Sequence, residues 1–307
     1  MKLSIIIVNH NTSQLLFQCL NSLVSTTQNI EKEIIVVDNF SKDDSVNMVR
    51  EKFPQLKLIE NKKNYGFAFA NNQAVGIANS NLILLLNSDT IILENTIQKT
   101  IDFIEQDKDA HIVGCKLLNS DFSLQNSCRS FPTLWNIFTE SFFLYKLFPK
   151  TKLFGKYHMT YFDYNSVLKV DVVKGAFMLI KKNVIEQIGL FDGKFFMYSE
   201  ETDFCYRANK NNFNTIFFPD ASIVHIGGGS IQSNQIYFEQ IHFSQILFIK
   251  KHYKNIYKYL CIFIKVIGIL LRVPIYFFYG FISIDKNLIK KSKRYFMVFM
   301  NSIFLNK

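Results

Sequence analysis

The chain has 307 residues, 49% of them hydrophobic, which is enough for one large α/β domain with additions or for two smaller domains. Its net charge of +10 comes from one end, because 12 of the 35 basic residues and one of the 25 acids lie from Lys250 onward. This pattern favours an anionic membrane surface over nucleic acid as a partner, and five cysteines without paired or metal-type spacing argue against a disulfide framework.

The first third of the chain alternates strands with helices. Apolar runs predict strands at Leu3–Val8, Glu33–Val37, Leu56–Ile59 and Leu82–Leu86. Helices are predicted after Thr12 or Ser13, from Ser41 to about Phe53 with Ser41 and Asp44 as a capping box, and from Asn64 through Asn79. This alternation predicts βαβ units and a mostly parallel, twisted sheet flanked by helices. Because the first strand follows Lys2 directly, we expect no signal peptide and a cytoplasmic chain.

Each of these strands is followed by Asn or Asp, at Asn9, Asp38, Asn61 and Asp89. The carboxyl ends of parallel strands meet at one edge of a sheet, and ligands bind beyond that edge. The longest apolar run, Leu82 to Leu86, ends in Asn87-Ser88-Asp89, so Asp89 is a site candidate. The alternative is that Asp89 only caps the next helix.

The middle of the chain is less regular. A helix at Glu94–Asp107 and a strand at His111–Cys115 lead into an aromatic-rich segment, Phe131 to Tyr164, which we interpret as a helical subdomain core rather than an apolar acceptor surface. A strand is predicted at Val170–Ile180, where the small residues Gly175 and Ala176 would let a ligand approach the backbone.

Two further groups carry possible chemistry. Glu200, Glu201 and Asp203 open a predicted helix at residues 200–211, where the helix dipole favours acids in any case, yet partial burial after an aromatic run also suits a general base. His225 ends a short strand, Ser222 to Val224. A single histidine is more often structural, but this one can join Asp89 on a divalent cation.

The order of the motifs resembles the family 2 glycosyltransferases, in particular the bacterial rhamnosyltransferase-like branch. The resemblance covers residues 3 to about 230 and rests on eight segments in sequence: Ser4–Thr12, Val37–Ser41, Asn64–Ala68, Leu86–Thr90, Lys174–Ala176, Phe191–Asp192, Tyr198–Asp203 and Phe218–His225. It implies a GT-A fold and transfer of a sugar from a nucleoside diphosphate donor, with inversion at the anomeric carbon.

The resemblance also implies roles for single residues. Asp89 matches the last acid of the family's Asp-x-Asp metal motif, with Asn87 in place of its first acid, and His225 matches a second ligand for Mg²⁺ or Mn²⁺. Glu201 matches the general base. The nucleotide-sugar site would then comprise Val8, Asn9, Asp38, Asn64, Gly66, Asn87, Asp89, Gly175, Ala176 and Glu200.

The expected function is therefore transfer of a sugar, with rhamnose as one candidate, from a UDP- or dTDP-linked donor to a saccharide or lipid-linked acceptor in cell-surface polysaccharide synthesis. A non-catalytic, nucleotide-sugar-binding membrane scaffold is the main alternative. A nucleotidyltransferase is disfavoured, because the first strand leads into Asn9-His10-Asn11-Thr12 without a Gly-rich phosphate loop.

The tail is both apolar and basic. Leu260 to Ser283 is apolar enough to suggest a membrane span, but Lys265 and Arg272 interrupt it and Pro274 would kink a helix. Lys251, Lys258, Lys265 and Arg272 are seven apart, which places them on one face of a helix lying in the membrane interface; a re-entrant hairpin is the other alternative. We therefore predict a GT-A domain at residues 1–245 with an insertion at about 129–168, and a helical tail at 246–307 on the cytoplasmic face of the membrane.

Overall fold

The computed structural model describes residues 2–227 and 235–304. The chain forms two compact units. Unit 1 contains the described residues up to Arg129, then Asp163–Phe196, then those from Glu200 to Gly227. Unit 2 contains Ser130–Phe162, Met197–Ser199 and the described residues from Gln235 onward.

The helices and strands begin with three strand–helix pairs in unit 1. In chain order they are β1 Leu3–Asn9, α1 Ser13–Thr26, β2 Lys32–Asp38, α2 Ser45–Lys52, β3 Lys57–Glu60, α3 Phe67–Gly76, β4 Leu82–Asn87, β5 Thr90–Ile92, α4 Thr96–Gln106, β6 Ile112–Leu118, β7 Leu124–Gln125 and β8 Cys128–Arg129. There follow α5 Leu134–Ser141, α6 Leu144–Leu147, β9 Leu168–Val170, β10 Val172–Val173, β11 Phe177–Lys181, α7 Lys182–Ile188, α8 Glu200–Lys210, β12 Thr215–His225, α9 Gln235–His252, α10 Asn255–Ile282 and α11 Lys286–Phe304.

The main sheet of unit 1 has the strand order β3-β2-β1-β4-β11-β6-β12-β5. Strands β1 to β4 pair in parallel, as do β6 and β12, whereas β11 runs antiparallel to β4 and β6. Side chains of α1 and α4 join one face of these strands in a continuous apolar core, and α3 contacts β1 and β2. The predicted mixed α/β fold with a mostly parallel sheet is confirmed.

The register of the parallel strands aligns their carboxyl ends. Asn9 lies opposite Asp38, Asp38 lies opposite Glu60, and Val8 lies opposite Asn87. Strand β1 is buried on both faces, since Ile5, Ile6 and Ile7 are all inaccessible to solvent, and its polar residues Ser4 and Asn9 lie near its two ends. The structure therefore brings the strand-end residues to one edge.

Two local predictions were wrong. The strand expected at Val170–Ile180 is three strands with different neighbours, because β9 pairs with β12, β10 with β8, and β11 with β4 and β6. The capping box at Ser41 does not form, since α2 begins at Ser45 with Asp44 in the capping position and no side-chain cap. Ser41 instead takes part in the strand-end network described below.

Unit 2 is helical in its described residues. The aromatic segment forms α5 and α6, as predicted, but its aromatics are not all core, since Trp135 is 42% exposed and Phe148 is 50% exposed. Ile137 of α5 packs with Ile249 and Cys261 in one apolar cluster, and Ile269, Tyr295 and Val298 form another.

Within the described part of the chain, α10 is the one helix long and apolar enough to cross a membrane by length and composition. It continues through Pro274. The expectation that Lys251, Lys258, Lys265 and Arg272 form one basic face of a helix at the membrane interface was wrong: Lys251 belongs to α9, and Lys265 and Arg272 are buried inside unit 2. These two charges bind α5 instead of a surface.

Candidate functional site

A network of side-chain hydrogen bonds joins the ends of β1, β2 and β4. The amide of Asn9 donates to Asp38 Oδ1 and to the Ser41 hydroxyl, both at 3.1 Å, and the Ser41 backbone N–H donates to Asp38 Oδ2 at 2.9 Å. The Thr12 hydroxyl donates to Asn9 Oδ1 at 2.6 Å and lies 3.1 Å from the Ser88 hydroxyl. Thr12 is thus at the N-terminus of α1, as predicted, but its hydroxyl fixes Asn9 and does not cap the helix.

Asn39 connects this network to the loop that precedes α3. Its amide nitrogen donates to Asn64 Oδ1 at 2.8 Å and to the Gly66 carbonyl at 3.2 Å. Its amide oxygen accepts from the Asn61 side chain and from the Tyr65 backbone, both at 3.1 Å. The predicted residues Asn61, Asn64 and Gly66 therefore converge with Asp38 at the same edge.

Gly66 has a conformation that requires glycine. Its φ is +87°, and a Cβ at this position would collide with the carbonyl oxygen of Phe196. That carbonyl accepts from the backbone N–H of Phe67 at 2.7 Å, which holds the start of α3 in place.

Asp89 and His225, the two residues predicted to share a cation, lie side by side. Asp89 Oδ1 is 3.3 Å from His225 Nε2, and Asn87 Nδ2 is 3.4 Å from the same nitrogen. This follows from the topology, because Thr90 pairs with His225 when β5 and β12 align antiparallel. Asn87 is a neutral amide, so Asp89 supplies the only formal negative charge of this group of three.

Gln125 determines which nitrogen of His225 faces Asp89. Its side-chain oxygen lies 2.7 Å from His225 Nδ1, so Nδ1–H donates to it and Nε2 faces Asp89. The Gln125 amide nitrogen donates to Asn119 Oδ1 at 2.9 Å and to the His225 carbonyl at 3.3 Å, which fixes the orientation of the amide. No sequence pattern pointed to Gln125. It lies on β7, which pairs with β6, and its side chain reaches His225 only because of the tertiary fold.

The geometry fits a divalent cation. Ligand atoms in adjacent positions around an octahedral ion, with bonds of about 2.1 Å, are about 3.0 Å apart, close to the separation of Asp89 Oδ1 and His225 Nε2. Among residues 2–227 and 235–304 there is no cluster of three or more His, Cys, Asp or Glu that can hold a metal. The remaining positions around an ion would therefore fall to water or to a ligand.

Gly175 and Ala176 lie beside β4. The Ala176 carbonyl accepts from the Asn87 backbone N–H at 3.1 Å, which ties this turn to the end of β4. A Cβ on Gly175 would meet only the ring of Phe67, at 3.9 Å, so open space remains above this backbone. Val8, half-buried, lies opposite Asn87 on the neighbouring strand.

Glu200, which is buried, and Glu201, which is half-buried, form an acidic pair at the start of α8. Each has one carboxylate oxygen, Oε2, that is buried without a hydrogen-bond partner. Burial raises the pKa of Glu200 well above its ordinary value, and the neighbouring charge of Glu201 raises it further. Burial also raises the pKa of Glu201, but Arg129 and Lys174 oppose this rise by stabilising the ionised carboxylate.

Lys174 connects the acidic pair with the histidine. Burial, and then the charge of Arg129, lower the pKa of Lys174 to about 8, while Glu201 opposes this shift. Its ammonium donates to Gln125 Oε1 at 3.4 Å, the oxygen that also accepts from His225. Lys174 lies in one of the motifs that carry the family resemblance, but its position between two functional groups was not predicted.

The chain is similar to known proteins in its sequence and in its fold. Residues 4–174 match the family described as "Glycosyl transferase family 2". The chain is 30% identical over 217 residues to the low-salt glycan biosynthesis hexosyltransferase Agl10 of Haloferax volcanii, which covers 69% of this chain and 63% of that protein. It is 22% identical over 203 residues to the N-acetylglucosaminyl-diphospho-decaprenol L-rhamnosyltransferase of Mycobacterium tuberculosis, over 62% of this chain and 66% of that protein.

Each of these matches spans less than two thirds of the relative's length. Among solved structures, the chain is similar to the mannosyltransferase PcManGT from Pyrobaculum calidifontis in complex with GDP-Man and Mn²⁺. That match has a TM-score of 0.58 and 14% identity and covers 99% of this chain and 86% of the other. A likeness at this identity shows the fold, and the expected GT-A fold is confirmed.

Proposed function

Because the chain belongs to glycosyl transferase family 2, we propose that it transfers a sugar from a UDP- or dTDP-linked donor to a hydroxyl of a saccharide or lipid-linked acceptor in glycan synthesis. Rhamnose is the sugar that the mycobacterial relative's name favours. The observation that carries the proposal is the pairing of Asp89 with His225, 3.3 Å apart, at the same sheet edge as the Asn9–Asp38–Asn39 network.

The strand-end network would bind the nucleoside of the donor. Asp38 is 3% exposed, with one oxygen held by Asn9 and the other by the Ser41 backbone, so its carboxylate is fixed in position. A fixed acceptor of this kind suits the N–H of a pyrimidine base, since a carboxylate oxygen has lone pairs beyond those already used. Asn64, Gly66 and the backbone at Val8 and Asn9 complete this part of the site.

Asp89 and His225 would hold Mg²⁺ or Mn²⁺, with diphosphate oxygens as further ligands. When bound, the cation supplies positive charge where the leaving diphosphate gains negative charge. Gln125 holds His225 Nδ1 and so orients Nε2 toward Asp89, which is the nitrogen that would bind the cation. The side-chain amide of Asn87 lies 3.4 Å from His225 Nε2 and adds no charge to the site.

Glu201 would accept the proton of the acceptor hydroxyl as that hydroxyl attacks the anomeric carbon from the face opposite the diphosphate. Glu201 suits this role better than Glu200, because Arg129 and Lys174 favour its ionised form, whereas burial and the charge of Glu201 raise the pKa of Glu200 well above its ordinary value. A raised pKa makes the carboxylate a stronger base than an exposed one while Lys174 keeps it available. Attack from the opposite face gives inversion.

The proposal places the protein at the cytoplasmic face of the membrane, beside a lipid-linked acceptor. The basic, apolar C-terminal helices support this location, as does the decaprenol-linked substrate in the name of the mycobacterial relative.

A thermal-shift screen of nucleoside diphosphate sugars, with Mn²⁺ and with a chelator, tests the function. A ligand at 100 times its Kd stabilises the folded state by about 2.7 kcal/mol, which raises the melting temperature measurably. We expect one class of UDP or dTDP sugar to raise it only with the metal, and to be consumed when an acceptor is added. Binding without any transfer or hydrolysis would instead identify a nucleotide-sugar-binding scaffold.

A further inference from the structure

Helix α10 of unit 2 buries charged side chains and exposes apolar ones, the opposite of a surface helix in a water-soluble protein. Two of its three charged residues face inward: Lys265 is 4% exposed and Arg272 is 8% exposed. Large apolar side chains face outward, among them Phe263 at 62% and Phe281 at 70% exposure. The outward face recurs every seven residues, at Ile256, Phe263, Leu270 and Phe277, all exposed.

The two inward charged side chains bind partners within unit 2. Lys265 Nζ forms an ion pair with Glu140 Oε2 at 3.2 Å. The guanidinium of Arg272 donates to the carbonyls of Glu140 at 2.8 Å and Ser141 at 3.0 Å, the last carbonyls of α5. A Cβ at Gly268 would collide with Ser141, so the two helices are in close contact here. These contacts fix the rotation of α10 about its axis.

The outward face is long and continuous. A helix of 28 residues is about 42 Å long, and exposed apolar side chains occur from Ile256 at its start to Ile282 at its end. Apolar patches of this size are rare on soluble proteins and indicate an interaction surface. Exposed lysines precede this face, at Lys250, Lys251 and Lys254, and Lys286 follows it. Exposed Lys290 and Lys293 lie further along α11, which runs back beside α10, since Ser292 donates to the Val273 carbonyl at 2.8 Å.

This combination of an apolar stripe between two basic ends matches an anionic bilayer, in which acyl chains receive the stripe and headgroup phosphates receive the lysines. A crossing helix does not fit as well, because α10 is bound along its middle to α5, whose Asn136, Thr139, Glu140 and Ser141 would have to enter the hydrocarbon with it.

We propose that α10 lies flat at the boundary between headgroups and acyl chains, with its Ile256–Phe263–Leu270–Phe277–Phe281 face in lipid and Lys265 and Arg272 as internal residues that orient it. The inference deepens the membrane part of the proposed function. It does not depend on the donor or on sugar transfer, because every contact that carries it lies in unit 2.

The first test is flotation of the full-length protein with vesicles of phosphatidylcholine, with and without phosphatidylglycerol. The wild type should float with anionic vesicles, and the double variant Phe263→Ser/Phe281→Ser should lose about tenfold or more in its partition coefficient. Phe263→Leu/Phe281→Leu should float like the wild type. Phe122→Asn, which removes a 65% exposed aromatic from unit 1 at a position with φ of +61°, should also have no effect.

The donor-induced rise in melting temperature, measured on the same variants, separates this inference from the proposed function. If the serine variant floats normally, the lipid face is wrong whatever the donor does. If the wild type never floats and the serine variant converts a dimer into a monomer in light scattering, a second copy of the chain covers the face and the proposal is overturned.

Depth measurements test the flat orientation. The single-tryptophan variants Ile256→Trp, Leu270→Trp and Phe281→Trp, each in a Trp135→Phe background, should be quenched equally by lipids brominated near the headgroup. A crossing helix would instead place position 270 near the bilayer centre and the other two near its surfaces, and that result would contradict the proposal.

Discussion

Replacing Glu201 with Gln tests the assignment of the general base. The change keeps the size of the side chain and removes its ability to accept a proton. General base catalysis contributes about 10²- to 10⁴-fold, so turnover should fall by about that factor, which corresponds to roughly 3 to 5 kcal/mol of activation free energy. The fold should survive, because Glu201 Oε2 has no hydrogen-bond partner to lose.

The assay is the initial rate of nucleoside diphosphate release in the presence of acceptor, measured across pH, with donor binding followed by thermal shift. Burial raises the pKa of Glu201, so the ionised base is lost as pH falls through a value above the ordinary glutamate pKa of about 4.3. The wild-type rate should show this acidic limb, and the residual rate of the Gln variant should not.

Donor binding should remain close to that of the wild type in the Gln variant, and the exposed acid Glu51, replaced by Gln, is the matched control. Turnover of Glu201→Gln within a few-fold of the wild type, with the acidic limb intact, would refute the assignment and move the role to Glu200 or Asp203.

Three further substitutions test other parts of the account. Asp89→Ala should abolish Mn²⁺-dependent donor binding in calorimetry and His225→Ala should weaken it less, whereas undiminished binding by chelator-treated wild type would exclude the cation. Glu200→Gln should raise the melting temperature at pH 8 but not at pH 4: the raised pKa stabilises the folded state fully below the ordinary glutamate value, and this stability is lost as pH rises through the raised one. An equal effect at both pH values would show that Glu200 is not held neutral. Gly66→Ala should destabilise unit 1 by about 1 to 3 kcal/mol in chemical denaturation, because its φ is +87° and a Cβ collides with Phe196; an unchanged midpoint would contradict this.

The sequence predicted the sheet well because continuous apolar runs such as Leu82–Leu86 leave few alternatives to a buried strand, and because strand–helix alternation restricts the topology. Sequence pattern failed where neighbouring segments are similarly apolar but pair with different strands. The run from Val170 to Ile180 is mostly apolar, interrupted only by Asp171 and Lys174, yet β9, β10 and β11 pair with different strands, which local pattern does not encode.

The tail shows a similar limit. The seven-residue spacing of Lys258, Lys265 and Arg272 did place these residues on one face of a helix, but spacing does not tell which face is inward. The prediction of a helix in the membrane interface required these basic side chains to face away from the protein. The carbonyl groups at the end of α5 provide partners that make the opposite orientation favourable, and they are distant in sequence.

For the candidate site, the motif residues Asn9, Asp38, Asn64, Gly66, Asp89 and His225 were all named from sequence, and the structure places them at one edge. The residues that support them were not named in any role: Asn39, Gln125 and Lys174 act through side-chain contacts across strands. Such contacts depend on tertiary geometry, so only the fold reveals them.

A crystal structure of the protein with Mn²⁺ and the nucleoside diphosphate of its donor, recorded with manganese anomalous scattering, tests the central claim most directly. The account predicts one strong anomalous peak within about 2.3 Å of Asp89 Oδ1 and His225 Nε2 and in contact with diphosphate oxygens, with His225 Nδ1 still bound to Gln125 and the base beside Asp38. A nucleotide bound away from the carboxyl ends of β1, β2 and β4, or a metal held without Asp89 and His225, would contradict it.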